Sequence, residues 1–331
     1  MAQGRPQPTL KHVALRAGVS TATASMALRG LGRVSAETRA RVQTAASEIG
    51  YTTNRTAQKL RTGKKGVIGV VIDEVHRDYC PELPQFTVNA LVTGLGYGLA
   101  EVGLDLSIMT LRDAPAKARE CDGILTLISR AEDIDALALP SEVWVLAGST
   151  GRLPCAYPKG YIDQWGAAVE VLEHFREQGA RRPALIHMHQ DHSDVQQELG
   201  AAYRWWVAER ELPENEILIG TDDRTTVSVE TLVRQRGVDA IFTGSHSLAF
   251  RRAFDILDIG VPHDCLFACV GPGFREQSMT PSVSHVSYLP EVNGPRLTQV
   301  LAEMAEKGES WDVEFAYRFV PGDSSRGLTV A

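Results

Sequence analysis

From Val67 onward the chain alternates short apolar runs with helical stretches. VIGVVI (67–72), LDLSIMTL (104–111), GILTLI (123–128), VWVLAG (143–148), PALIHM (183–188), EILIG (216–220), AIFTG (240–244) and LFACVG (266–271) are nearly continuous apolar segments. Runs of this length bounded by turn residues predict buried parallel strands. QWGAAVEVLEHFREQG, ELGAAYRWWVAERE and LAFRRAFDILDIG, between or after them, carry helical periodicity. Alternating β and α predicts doubly wound sheets, and so many strands exceed one sheet of ordinary width. Two α/β lobes are therefore expected.

The first fifty-three residues read differently, as helices only. Thr9 is placed to cap LKHVALRAG, with Leu10, Val13, Ala14 and Ala17 on one face and Gly18 as its stop. Ser20 is placed to cap a second helix, STATASMAL, whose apolar positions are Val19, Ala24, Ala27 and Leu28. Ser35 opens a third, with Val42, Ala45, Ala46 and Ile49 inward and Gly50 at its end. Helix, glycine turn, short helix, loop and third helix predict a helix-turn-helix module.

Charge sharpens this division. The net charge of the chain is −7, yet residues 1–66 hold twelve Lys/Arg against only Glu37 and Glu48, a net of +10, leaving −17 for the rest. A basic module of ordinary complexity attached to an acidic body points to a polyanionic partner for the module alone. No apolar run reaches the roughly 18 residues of a membrane span, and MAQGRPQPTLKHVALRAG lacks a secretory apolar core, so a cytoplasmic location away from membranes is expected. Cys80, Cys121, Cys155, Cys265 and Cys269 have no C-x-x-C spacing and read as reduced core thiols.

The second helix carries the chemistry. Ser20, Thr21, Ala22, Thr23, Ala24 and Ser25 follow one another with no large side chain. Such a surface suits a helix that enters a major groove about 12 Å wide, and Ser20, Thr23 and Ser25 are expected at phosphate oxygens. Arg29 and Arg33 flank it as positive clamps.

TLKHVALRAGVSTATASMALRG, then VSAETRARVQTAASEIGYTTNRTAQKLRTGK, resembles the DNA-binding headpiece of LacI/GalR-type transcription repressors. The resemblance implies that Thr21, Ala22 and Met26 face bases. It also implies that Asn54, Arg55, Ala57, Leu60 and Arg61 belong to a hinge helix whose leucine wedges into the minor groove. Where the family often has a long polar residue this chain has Met26, so apolar contacts to thymine methyls are expected to matter more than arginine–guanine pairs. The later segments GYIDQWGAAVEVLEHFREQGARRPALI, GVDAIFTGSHSLAFRRAFDILDIGVPHD and FVPGDSSRG resemble the family's periplasmic-binding-protein-like pair of lobes. This implies a ligand cleft at the carboxyl ends of the strands, with chain crossings near Gln164, Leu289 and Arg318. The matching effector positions are Gln197, Ser245, His246 and Phe274. These lack the usual charged fork and carboxylate, and TLRDAPAKARECDGI leaves only a brief link in place of a full helix.

Other signals are weaker. HMHQDH (187–192) places His187, His189 and His192 together without metal-ligand partners in sequence, which favours a pocket-mouth or surface role over zinc. GLGYG (94–98) is not a dinucleotide fingerprint and reads as close helix packing; Trp205 and Trp206 read as core or interface aromatics. No nucleophile elbow accompanies Ser, His and Asp, so no catalysis, metal or cofactor is expected.

The expected organisation is an all-α helix-turn-helix headpiece (1–53), a hinge and linker (54–66), and a doubly wound α/β effector and dimerisation body (67–331). Lobe one takes about 67–164 and 290–318, lobe two about 165–289 and 319–331. The expected function is an effector-responsive repressor that binds near-palindromic double-stranded operator DNA as a homodimer, with a sugar or other metabolite as possible effector. A ligand-independent repressor and a small-molecule carrier with an incidental basic arm are the alternatives.

Overall fold

The computed structural model describes residues 8–28, 34–51, 63–72, 89–128, 130–148, 151–152, 154–188, 194–219, 224–244, 247–271 and 273–328. They form two compact units, Met1–Lys64 and Lys65–Ala331.

In the first unit, α1 (Leu10–Ala17), α2 (Thr21–Leu28) and α3 (Ala36–Glu48) enclose a small core. Val13, Ala14, Ala17, Ala24, Ala27, Val42, Ala45 and Ala46 are buried together. Alanines dominate because three short helices must approach closely to exclude water from so small a volume. Local signals set each end. The His12 side chain accepts the Thr9 N–H at 3.2 Å, the Ser20 hydroxyl accepts the Thr23 N–H at 3.0 Å, and Ser35 accepts from Thr38 at 3.2 Å. Gly18 ends α1 at φ 66°, a left-handed turn that other residues adopt only with strain. An exposed Arg16–Glu48 pair (2.6 Å) ties α1 to α3.

The second unit contains two six-stranded sheets. In chain order its elements begin with β1 (Val67–Ile72), α4 (Asn89–Glu101), β2 (Asp105–Thr110), α5 (Ala114–Lys117), β3 (Gly123–Leu127), α6 (Ala131–Asp135), β4 (Trp144–Gly148) and β5 (Lys159–Ile162). There follow α7 (Gln164–Glu177), β6 (Pro183–Met188), α8 (Asp194–Ala208), β7 (Glu216–Ile219), α9 (Thr225–Glu230) and β8 (Ala240–Thr243). The last are α10 (Ser247–Leu257), β9 (Leu266–Val270), α11 (Phe274–Ser278), β10 (Ser284–Ser287), α12 (Pro290–Lys307), β11 (Val313–Phe315) and β12 (Arg318–Val320).

Sheet one runs β11-β5-β4-β3-β1-β2 and is parallel throughout; sheet two runs β12-β10-β9-β8-β6-β7, with β12 alone antiparallel. Side-chain alternation sends Ile68 and Val70 to the face covered by α4 and α12, and Val71 to the opposite face with Met109 and Ile124. In sheet two, α7 and α8 cover one face and α9 and α10 the other. β3, β4, β8 and β9 are buried on both faces, which is why they read as unbroken apolar runs.

β2 and β7 depart from that expectation. Both are edge strands, and Ile108 and Leu218 stand partly exposed. Four strands escaped the apolar pattern: β5, β10, β11 and β12 are three or four residues long and rich in polar residues. The segment between β2 and β3 is a single turn of α-helix followed by a 3-10 turn (Ala118–Glu120), in place of a full crossover helix. The third passage between sheets falls between Phe315 and Arg318, so Arg318 opens the strand that pairs with β10. GLGYG lies on α4, where a Cβ on Gly98 would meet Thr298 of α12 at 2.4 Å.

His187 corrects the surface role expected for it. It is fully buried on β6, with Nε2 at 2.6 Å from Glu216, whose carboxylate also takes two bonds from Arg204 at 2.7 and 2.8 Å. Trp206 is core and its indole donates to Glu173 at 2.7 Å, whereas Trp205 is half-exposed and packs on Trp165 with 5.5 Å between rings. Burial acts to raise the Glu216 pKa, but bonds from His187 and Arg204 outweigh it and hold the carboxyl below its ordinary value. Its contribution to stability is therefore present above the ordinary carboxylate range and lost as pH falls through the depressed folded value. Glu216→Ala is expected to destabilise the body by about 3 kcal/mol by leaving buried charge unpaired, with that deficit shrinking in acid; urea unfolding at neutral and acidic pH measures both.

Candidate nucleic-acid interface and ligand cleft

On α2 the buried side is supplied by Ala24 and Ala27, with partly buried Leu28 packed on the same core. Thr21 and Ala22 are exposed, and Thr23, Ser25 and Met26 are half-exposed. The exposed side of this helix is thus made of methyls, hydroxyls and one thioether, with no charge and no large ring. Backbone can approach a partner closely along such a surface. Ser20 and Thr23 are not independent donors, because their hydroxyls lie 2.8 Å apart and bond each other. One of the two O–H protons is used internally, which leaves a single proton from the pair for an external acceptor. Lys11, Arg39 and Arg41 place positive charge elsewhere on the same unit.

In the body, the carboxyl ends of the parallel strands carry a second polar cluster. Glu276, on α11 just after β9, is completely buried. Its carboxylate accepts the Ser247 hydroxyl at 2.8 Å and the Gly273 N–H at 3.0 Å. Ser247 is the first residue of α10, so the negative charge sits at a helix N-terminus, where the backbone dipole favours it. Gly271 leaves room for this carboxylate; a Cβ there would lie 2.6 Å from the Glu276 carboxyl carbon. Nearby, His285 Nδ1 donates to the Val283 carbonyl at 2.9 Å, which in the neutral ring leaves Nε2 as an acceptor. That buried atom has no partner among the described residues, and neither does Oε1 of buried Gln196.

Lobe one meets this edge through two backbone donors. Asp194 accepts the Ala131 N–H at 2.7 Å, and Glu198 accepts the Arg152 N–H at 3.4 Å. Burial, the largest influence, pushes both carboxyls above their ordinary pKa. Among the described residues no group of His, Cys, Asp and Glu could hold a metal ion, and no helix is long and apolar enough to cross a membrane.

Residues 9–54 match the model of the bacterial regulatory proteins of the lacI family, and residues 172–325 that of the periplasmic binding protein-like domain. The HTH-type transcriptional regulator CelR of Thermobifida fusca is 27% identical over 321 residues, 90% of this chain and 92% of that protein. The maltose regulon regulatory protein MalI of Vibrio furnissii is 30% identical over 119 residues, 36% of this chain and 80% of that one. The chain belongs to the LacI family. It is a DNA-binding transcriptional regulator with the family's two-lobed body. A solved CelR–cellobiose complex shares the fold at a TM-score of 0.65, with 23% identity and coverage of 96% and 99% of the two chains. The lac repressor dimer bound to operator and an anti-inducer does so at 0.66, with 16% identity and coverage of 97% and 100%.

Against this family frame, Ser20, Thr21, Ala22, Thr23, Ser25 and Met26 all lie on or at the cap of α2. Arg29, Arg33, Asn54, Arg55, Ala57, Leu60 and Arg61 lie outside the described residues, as do Ser245 and His246. Gln197 is half-buried on α8, and Phe274 is 86% exposed at the start of α11, so no buried pocket wall includes its ring. Two residues beyond Phe274, a carboxylate is present as Glu276, turned inward onto Ser247. Asp194, Gln196, Glu198 and Glu276 were missed because polar residues within a helix read as solvent-facing; the structure sets Gly151 against Glu198, Gly244 against Gln196 and Gly271 against Glu276. Ser247→Ala removes a donor from a fully buried carboxylate and is expected to lower stability by about 1–3 kcal/mol, read as a shift of the urea midpoint at constant slope.

Proposed function

We propose that this protein represses transcription as a homodimer on a near-palindromic operator, with α2 laid in the major groove. The observation that carries this reading is the side of α2 opposite Ala24 and Ala27: it offers only small side chains and Met26, on a unit with a strongly positive charge. Thr21, Ala22 and Met26 meet base edges, chiefly through methyl contacts. The Ser20–Thr23 pair and Ser25 meet phosphates, with Arg29 and Arg33 as flanking clamps. Asn54, Arg55, Ala57, Leu60 and Arg61 form the hinge, Leu60 being the minor-groove wedge.

Dimerisation is required because one such headpiece offers too few contacts for a specific site. Exposed apolar side chains on the body support a second copy as partner: Tyr97 on α4 and Ile108 on β2 in lobe one, and Leu248 and Ile256 on α10 with Phe274 in lobe two. A small hydroxyl-bearing effector of the sugar class acts between the lobes, supported by the acceptors at Gln196 and His285 and by the cellobiose-bound fold relative. The protein acts in the cytoplasm and has no catalytic role of its own. Full burial of Glu276 favours a second reading, a repressor that needs no ligand.

Ala22→Glu leaves the headpiece core untouched, because Ala22 is exposed, and replaces a methyl at the base edges with a negative charge inside the groove of a polyanion. Binding to genomic fragments selected by the parent protein is expected to weaken at least tenfold with unfolding unchanged, as followed by fluorescence anisotropy. Parental affinity should also fall steeply between about 50 and 200 mM salt. Parental binding that ignores salt, or an Ala22→Glu variant that binds as the parent does, contradicts the assignment of α2.

A further inference from the structure

The two lobes touch through carboxylates one helical turn apart. Asp194 and Glu198 share one side of α8, four residues from each other. Their donors, the Ala131 and Arg152 N–H groups, belong to the segments that follow β3 and β4 of sheet one, whereas α8 follows β6 of sheet two. Both acids are buried, and burying a carboxylate is costly unless hydrogen bonds and nearby positive charge offset it, which here come from the two N–H donors and from Arg130 and Arg152.

Lobe one holds its donors firmly. The Arg152 carbonyl accepts from Lys159 Nζ at 3.0 Å and its guanidinium pairs with Asp163 at 3.2 Å, so the guanidinium is turned to its own lobe. Arg130 is likewise engaged with Glu132 and, at 3.9 Å, Asp133. Gly151 has φ 58°, and a Cβ there would lie 2.6 Å from Glu198 Oε2. The left-handed φ of Gly151 favours glycine, and the end of the Glu198 side chain lies against it.

The passages between the lobes are pinned as well. Asn293 donates to the Tyr288 and Ala316 carbonyls, both at 2.6 Å, and accepts the Ala316 N–H at 3.2 Å. The Tyr288 hydroxyl donates to Gln164 at 3.3 Å. Gln164, Tyr288 and Ala316 each belong to a different one of the three passages, so one network braces them all.

We propose that Asp194 and Glu198 form a latch that keeps the lobes closed without any small molecule, so that the regulated step is release of this latch. An effector then acts as a competitor for these contacts, not as the bridge that creates closure. The inference rests on the cleft being the regulatory site, but the latch is measured independently of DNA.

The test is amide hydrogen exchange on the full-length protein, shown by native mass spectrometry to carry no small molecule. The Ala131 and Arg152 amides are expected to exchange slowly. Replacing both acids by alanine (D194A with E198A) is expected to speed them about tenfold or more, while the β9 amides keep their protection. The D194N and E198Q pair keeps oxygen acceptors and is expected to keep the protection. Fast exchange of both amides in the parent, or unchanged exchange in the alanine pair, overturns the latch. Should the alanine pair lose β9 protection and so be unfolded, Gly151→Ala replaces it: its Cβ displaces Glu198 and should release the Arg152 amide, and an unchanged rate overturns the proposal. Failure of the parent to bind DNA would sink the operator reading and leave the exchange result standing.

Discussion

A parallel sheet covered on both faces by helices can expose polar chemistry only along its edges and at the ends of its strands. This constraint organises the body of the protein. The apolar runs of β3, β4, β8 and β9 give the centre of each sheet over to core packing, and polar side chains such as His187 and His285 stand on β6 and β10, nearer the edges. Chemistry is displaced to the turns beyond their carboxyl ends, where Ala131, Arg152, Asp194, Ser247 and Glu276 are found. Three chain passages join the lobes, and hydrogen bonds from Asn293 and Tyr288 link them to one another.

The headpiece solves a different problem with similar economy. Three helices of eight, eight and thirteen residues cannot bury large side chains on every face and still present a thin edge to a groove. Alanine and valine close the interior, and threonine, serine and alanine cover the exterior of α2. Caps at Thr9, Ser20 and Ser35 add to the stability this core supplies, since each short helix leaves a large share of its backbone donors without internal partners. The same hydroxyl that caps α2, that of Ser20, lies on the side proposed to meet phosphate.

Sequence and structure agree where burial follows a simple period. Eight of the strands were legible as apolar runs, α1, α2 and α3 as short helices with polar caps, and α7, α8 and α10 as helical stretches. β5, β10, β11 and β12 were not, because polar residues interrupt each of them and neighbours already in place hold them, as β9 and the Ser324 and Ser325 hydroxyls hold β10. The same reason hid Glu216. Its carboxylate is held by Arg204, twelve residues away, and by His187, twenty-nine away, and neither spacing carries a local signal.

Taken alone, the sequence determined a basic helical module joined to an acidic body of two α/β lobes, and it marked α2 as the helix of small residues. Those properties depend on periodicity, capping residues and charge, which are local and additive along the chain. The tertiary structure alone decided that Glu276 turns inward onto Ser247 and that Asp194 and Glu198 reach the opposite lobe. Whether a carboxylate meets water or a distant N–H is fixed by which segments the fold brings within about 3 Å, the length of a hydrogen bond, and no pattern along the chain encodes that distance.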